Sequence, residues 1–417
     1  MDATDEHRWD REFLAKINST PKALNPCSYP EPTHLSDSYW ICESPIDFED
    51  EWVKAPAPEI VNVAIIGPGI TGATVASQLA EQRPELKVAL FEARGICKGA
   101  TGRNGGHIGR PDAHGIRDLA EKFGVEEALR LRRFNRMDRE LMLETIERLD
   151  AAEEVDLSVK GTLIVFEDED ERETYLIDEQ FAKEHGLKLE GFVVDKEWNL
   201  KRVNIEPTVA QYGGAFIERS GTIYPRKFVA LLLRKALKRS KSFSLHPYTP
   251  VMEVTYNPEL EDAPYGIVTT KGTTRAKAVF HATNSYASHL LPSMGTKEGV
   301  RGCMAHMLGV QPNLPETAIQ LEGGFGYASF WHWILQRPKK GPFLYGFAEA
   351  EGMADMLAFL AKFFPHTFSE QTAGKDIWYD WTGVQGFTAD GCSIVGRLVV
   401  ERRGEFVSVG HNGKGMG

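Results

Sequence analysis

The chain has 417 residues, 42% of them hydrophobic and 26% charged, with a formal net charge of −11. That much apolar material excludes a disordered chain, and the length points to two domains of roughly 150–200 residues each. The acidic balance excludes a nucleic-acid partner, because no basic stripe offsets the protein's own field.

The first residues, "MDATDEHRWDREF", are acidic where a secretory signal would be basic and then apolar. Apolar runs such as "VAII" and "FVALLL" fall far short of the ~18 residues of a membrane span, so a cytoplasmic protein without membrane contact is expected. Residues 1–58 are rich in proline and turn formers, as in "NSTPKALNPCSYPEPTHLSDSYW", and read as an irregular arm laid over the surface. "VNVAIIG" then has the continuous β-branched pattern of a strand covered on both faces. "ITGATVASQLAEQ" reads as a helix and "KVALFEA" as the next buried strand, which makes a strand–turn–helix–strand unit of about 30 residues.

Ile116 to Ala152 is charged with helical periodicity, and its Arg130, Arg132, Arg133 and Arg136 read as a solvated helix face. "GTLIVFED" and "GGAFIE" read as strands, "YPRKFVALLLRKALKRS" as an amphipathic helix, and "PVMEVTYN", "YGIVTTKG" and "KAVFHAT" as a meander. From Arg301 to about Tyr379 the chain is aromatic and reads as loop-rich. Cysteines 27, 42, 97, 303 and 392 are scattered, with no CxxC and no histidine at ligand spacing, and no HExxH occurs; neither disulfide nor metal is expected.

Two glycine-dense stretches carry the chemistry. In "GPGITG", Gly67 permits a tight turn out of the strand, Gly69 lets backbone approach a pyrophosphate, and Gly72 lets helix and sheet pack closely. Ile70 and Thr71 open the helix, whose N–H groups and dipole favour phosphate. Glu92 closes the second strand twenty positions after Gly72, where a ribose hydroxyl pair needs an acceptor and a 2′-phosphate would be repelled. The second stretch, "GATGRNGGHIG", has four glycines between Gly99 and Gly106, Gly102 and Gly105 among them. Thr101, Arg103 and Asn104 add a hydroxyl, a cation and an amide for a pyrophosphate or a ring edge. A second cradle suits a longer, two-headed cofactor such as FAD.

The sequence resembles the D-amino-acid oxidase superfamily of FAD-dependent oxidoreductases, nearest the gamma-glutamylputrescine oxidase-like branch with a GA[ST]GRNGG loop. The likeness runs from Val61 to the end and includes "TPVMEV", "AVFHATNSYASHLLP" and "FTADGCSIVGR...FVSVGHNGKGMG". It implies an α/β fold: a Rossmann-like FAD-binding domain of the glutathione-reductase-2 type, interleaved with an α+β substrate domain on a mixed or antiparallel sheet. The expected FAD-binding segments are 59–160, 215–295 and 380–417; those of the substrate domain are 161–214 and 296–379.

The resemblance places Ala93 and Arg94 beside the adenosine and the Val251 backbone at adenine, and puts Gly106 with its loop neighbours on the way to the flavin ring. Gly413, Lys414 and Gly415 would present N–H groups and an ammonium to the pyrimidine edge. Neither Cys97 nor His107 lies in a covalent attachment motif, so non-covalent FAD is expected. The implied reaction takes hydride from a carbon bearing nitrogen to flavin N5, with a small amine or amino acid as substrate and dioxygen as acceptor. His107, Trp331 and His332 are candidate catalytic residues, with Arg301 as carboxylate partner and Tyr327 as a further substrate contact. Two alternatives stand beside this reading. One is an FAD-dependent hydroxy-acid or polyol dehydrogenase. The other, prompted by a chain that stops at Gly417 where the family opens a flavin-facing helix, is a truncated and silent flavoprotein fold.

Overall fold

The computed structural model describes residues 27, 36–314, 320–347, 352–398 and 402–416. Its first sheet forms around Ile60–Ile66, whose apolar run Val63–Ile66 suits burial on both faces. Val88–Phe91 pairs parallel on one side and Gly272–His281 on the other. Phe243–His246 and Glu405–Val409 extend the parallel set outward, and Ile394–Arg397 closes one edge antiparallel. Because successive side chains alternate, Ile65 and Leu90 pack with the helices Ile70–Gln82 and Pro225–Arg239. Ala64, Ile66, Ala89 and Phe91 face the other way, onto Tyr265 and Ile267 of the hairpin Val251–Tyr256 and Tyr265–Thr269. The strand–turn–helix–strand unit, the amphipathic helix and the meander therefore stand as expected.

The second sheet runs in the order Ile377–Thr388, Val300–Val310, Phe343–Phe347, His332–Gln336, Gly324–Tyr327, Thr162–Val165, Gly214–Ile217, Gly191–Val194. Of its pairings, Gly324–Tyr327 with Thr162–Val165 is parallel and the rest are antiparallel. The helix Met353–Phe363 covers one face through Met356, Leu360 and Phe363. Boundaries drawn at 215 and 380 cut through two of these strands, since a strand belongs with the ladder it completes. Gly214–Ile217 and Ile377–Thr388 both lie in the second sheet.

Three further expectations are corrected. The stretch from Arg301 to Tyr379 has the expected loops, but between them it also supplies all or part of five strands of the second sheet and the helix Met353–Phe363, elements that were not read against the aromatic background. The arginine-rich run lies on the helix Val125–Arg148, but Arg132 is buried, as is Arg139. Arg132 binds the His114 carbonyl and Arg139 pairs with Glu190, while Arg136 pairs with Asp112. Partners from elsewhere in the fold thus draw part of the supposed solvated face inward. Finally, residues 36–58 are no irregular surface arm, although 1–26 and 28–35 lie outside the described residues. They contain the helices Tyr39–Cys42 and Glu49–Val53, and Trp40 is 0% exposed. Among the described residues no helix is long and apolar enough to cross a membrane.

Candidate functional site: a dinucleotide-sized trough between two sheets

A single cavity of about 1110 Å³ is lined by both glycine loops, somewhat above the ~300–1,000 Å³ of ordinary ligand pockets. At one end Gly67, Gly69, Ile70 and Thr71 meet Glu92, Ala93, Arg94 and Val251. Gly67 has φ +102°, and a Cβ there would lie 2.7 Å from the Ala282 carbonyl oxygen. Gly72 does not line the cavity; a Cβ on it would sit 1.9 Å from the Gly67 carbonyl oxygen, so its smallness keeps the helix tight against the turn. Glu92 accepts a hydrogen bond from the Arg94 amide at 2.7 Å, and burial raises its pKa. Arg94 is buried with its guanidinium 5.7 Å from the Tyr286 ring, and its Nε has no partner among the described residues.

The second loop reaches the first through one bond: the Ile70 amide donates to Thr101 Oγ1 at 3.1 Å. Thr101, Arg103, Asn104, Gly105 and Gly106 line the middle of the trough, but their polar side chains mostly hold the loop itself. Arg103 donates to the carbonyls of Lys98, Thr382 and Ser36 at 3.1, 2.9 and 2.7 Å. All three of its nitrogens are engaged with backbone, so it ties the N-terminal segment, the loop and the second sheet together. Asn104 Oδ1 accepts from the Gly106 amide at 2.9 Å. Gly102 is absent from the lining; its carbonyl accepts from Ser38 Oγ at 2.6 Å.

The closing segment comes back to the same place. Gly413, Lys414 and Gly415 line the cavity, and Thr71 Oγ1 lies 3.3 Å from His411 Nε2. Asn284, which no local pattern marks, fixes this return by accepting from the Gly410 and His411 amides at 2.9 and 3.3 Å. Its signal is the family resemblance of the "ATNSY" strand end.

At the far end His107, Trp331 and Trp333 line the trough with Phe330 and Arg110. Trp333 is wedged between glycines: a Cβ at Gly105 would lie 2.4 Å from its Cδ1, and one at Gly346 2.0 Å from its Nε1. His107 packs edge-on to Phe330 at 5.2 Å. Burial, with Arg110 nearby, lowers its pKa to about 3, so the ring is neutral, and neither of its nitrogens has a partner among the described residues.

His332, Tyr327 and Arg301 are not brought to the cavity. His332 and Tyr327 are cross-strand partners and so share a face, the one away from Trp333. His332 stacks on Phe359 at 4.1 Å and lies 2.7 Å from the Tyr345 hydroxyl. Tyr327 packs on Phe363 at 4.5 Å. Arg301 sits at the start of its strand opposite Phe387. Strand alternation thus separates Trp333, on the trough, from His332 in a core, while Trp331 lines the trough from the turn that precedes the strand. Burial lowers the His332 pKa to about 3, against about 6.5 unfolded. Below pH 6.5 the unfolded chain takes up a proton that the folded one refuses. Wild type should therefore lose ~1.4 kcal/mol of stability per pH unit relative to His332→Phe as pH falls from 6.5 towards 3. Parallel denaturation of the two proteins at pH 7.5 and 5 reads this; a constant difference would place His332 in water.

The residues present fit FAD: a continuous trough, two backbone cradles that a Cβ would fill, a half-buried acid at one end and an apolar wall at the other. A family model for FAD-dependent oxidoreductases, DAO, matches residues 62–417. The chain belongs to this family, and FAD is its cofactor. Glycine oxidase from Geobacillus kaustophilus (strain HTA426) is 23% identical over 366 residues, covering 85% of this chain and 89% of that protein. Its crystal structure superposes with a TM-score of 0.66 at 22% identity, covering 86% and 91% of the two chains. L-proline dehydrogenase from P. horikoshii gives 0.65 at 19% identity, covering 86% and 90%. L-amino acid deaminase from Proteus vulgaris, lacking its specific insertion, gives 0.68 at 16% identity, covering 90% and 92%. These proteins thus share this chain's fold at low sequence identity.

Proposed function

We propose that this FAD-dependent oxidoreductase oxidises the carbon–nitrogen bond of a small amine or amino acid and passes the electrons to dioxygen. The observation that carries the reading is the single trough running from Gly67 and Glu92 past Gly105 to the aromatic wall of Trp331 and Trp333. The activities named for the similar proteins, on glycine, proline and L-amino acids, support the substrate class. When bound, FAD supplies the two-electron acceptor for the hydride leaving the substrate carbon.

Glu92 would hold the adenosine ribose, and the backbone of Gly67–Thr71 with the helix Ile70–Gln82 would face the pyrophosphate. Gly413–Gly415 would meet the pyrimidine edge, with the Lys414 ammonium balancing negative charge there. Trp331, Trp333 and Phe330 exclude water from the reacting end. His107 enters neutral and offers a donor and an acceptor to a substrate amine without adding charge. Arg110 takes the place expected of Arg301 as carboxylate partner, since it lines the cavity close to His107. The substrate amine gives up a proton and its carbon a hydride; water then hydrolyses the imine to a carbonyl compound and ammonia or a smaller amine.

The purified protein should show the visible bands of oxidised flavin, bleach anaerobically with members of an amine and amino-acid panel, and form peroxide when air returns. Arg110→Met should raise KM for carboxylate-bearing substrates about tenfold or more, the effect of one lost charge-assisted contact, and leave amines without a carboxylate little changed. Bleaching by hydroxy acids alone would overturn the assignment.

A further inference from the structure

The turn that carries Phe330 is held against its own backbone preference. Ala328, Ser329 and Phe330 have φ of +49°, +52° and +69°, three successive non-glycine residues in the left-handed region that side chains disfavour. They connect the antiparallel strands Gly324–Tyr327 and His332–Gln336, and strain of this kind persists only where surroundings over-determine it.

The restraint comes from Glu171, 158 residues away. Its Oε1 accepts from both the Ser329 amide, at 2.6 Å, and the Ser329 hydroxyl, at 2.9 Å. Its other oxygen accepts from the Glu167 amide at 2.6 Å. Glu171 is itself fixed as the third residue of the helix Glu169–Glu184, its amide donating to the N-cap Asp168 at 2.8 Å. One carboxylate therefore joins a helix start to the strained turn. Phe330 then lies flush on Gly326, where a Cβ would be 2.4 Å from its Cδ2. Its ring is edge-on to His107 and 5.4 Å from the Arg110 guanidinium.

We propose that Glu171 is a positioning residue: by binding both the amide and the hydroxyl of Ser329 it holds the Ala328–Phe330 turn, and so sets Phe330 between His107 and Arg110 at the substrate end of the trough. The inference rests on reading that end as the substrate site. Burial, reinforced by Glu167, raises the Glu171 pKa to about 7, against the three hydrogen bonds that lower it. Around it stand Glu167 and Asp168 at the start of its own helix and Tyr327 on the strand feeding the turn. Lys362 offsets Glu167, and Arg110 lies over Phe330. The ionised carboxylate grips Ser329 most strongly, because charge-assisted hydrogen bonds exceed neutral ones; the grip should tighten as pH rises through about 7.

The test uses FAD-loaded Glu171→Gln, Glu171→Ala and Ser329→Ala, with amide hydrogen exchange as the readout that needs no turnover. In Glu171→Ala the Ser329 amide should exchange about tenfold faster or more, the loss of one hydrogen bond to a charged group, while the Gly67 loop exchanges as in wild type. KM for substrates that bleach the wild type should rise by a similar factor with kcat changed less. Glu171→Gln should remove the inflection near pH 7 from both the Ser329 exchange rate and kcat/KM, and Ser329→Ala should give a smaller effect in the same direction. Unchanged Ser329 exchange in Glu171→Ala would overturn the proposal. So would equal acceleration throughout the molecule in Glu171→Ala and Glu171→Gln, which would make the residue a helix cap alone. If no amine bleaches the wild type yet the exchange result holds, the substrate assignment fails and the clamp stands.

Discussion

Gly67→Ala is expected to yield a protein that purifies without flavin. The residue has φ +102°, and its added methyl would meet the Ala282 carbonyl oxygen at 2.7 Å and carbonyl carbon at 3.2 Å. Both are backbone atoms of the loop that follows a central strand, so no side chain can swing aside. The left-handed conformation costs about 1–2 kcal/mol for an L-residue, and overpacking adds roughly 1–3 kcal/mol. The turn can escape mainly by moving into the trough, where a pyrophosphate would have to approach backbone. FAD affinity should fall on the order of 100-fold or more, the equivalent of ~3 kcal/mol. Gly99→Ala is the control: it lines the same cavity, but a Cβ there would meet only Arg94 Nη2, at an ordinary 3.6 Å. The measurement is the ratio of visible to ultraviolet absorbance, followed by FAD titration of stripped protein. Full flavin content in Gly67→Ala would remove the first loop from the cofactor site.

The second large effect is expected at Trp40. Its indole Nε1 donates to the Asn104 carbonyl at 2.7 Å, its ring meets Tyr224 edge-on at 4.8 Å, and the Arg337 guanidinium lies 5.2 Å from it. The Tyr224 hydroxyl in turn donates to the Trp40 carbonyl at 3.0 Å. Trp40→Ala should cost about 3–5 kcal/mol through the cavity it leaves, with about 1 kcal/mol more for the unmade bond to Asn104. Because Asn104 belongs to the second cradle, FAD affinity should fall together with stability. Trp40→Phe, which keeps most of the ring and lacks the N–H, should lie between. Denaturant unfolding with and without added FAD measures both losses. A Trp40→Ala protein as stable as wild type would mean that the 36–58 segment is not part of the core.

Where one stretch of chain makes a whole structural unit, the sequence announced it. "VNVAIIGPGITG" holds the strand, the turn and the helix start, and Glu92 falls at the end of the next strand because a strand–turn–helix–strand unit has a nearly fixed length. "GATGRNGG" could be read as a second cradle for the same reason. The functions of individual side chains within it could not. Arg103 looks like a phosphate ligand until Ser36 and Thr382 are seen to occupy its guanidinium. Asp168 and Glu171 are legible as a helix start, yet nothing local points to Ser329.

By itself, then, the sequence determined the first two strands of the parallel sheet, the glycine turn between them and the family, since each depends on residues within about 30 positions of one another or on ordered motifs. Tertiary structure alone decided which face of a strand meets the trough. A side-chain period of two makes neighbours such as His332 and Trp333 point to opposite sides, and only the pairing of Gly324–Tyr327 with Thr162–Val165 and with His332–Gln336 says which side is which. It also decided that Trp40 belongs to the core and that Arg301 stays outside the trough, because burial and distance from a site are set by chain segments that the local pattern does not connect.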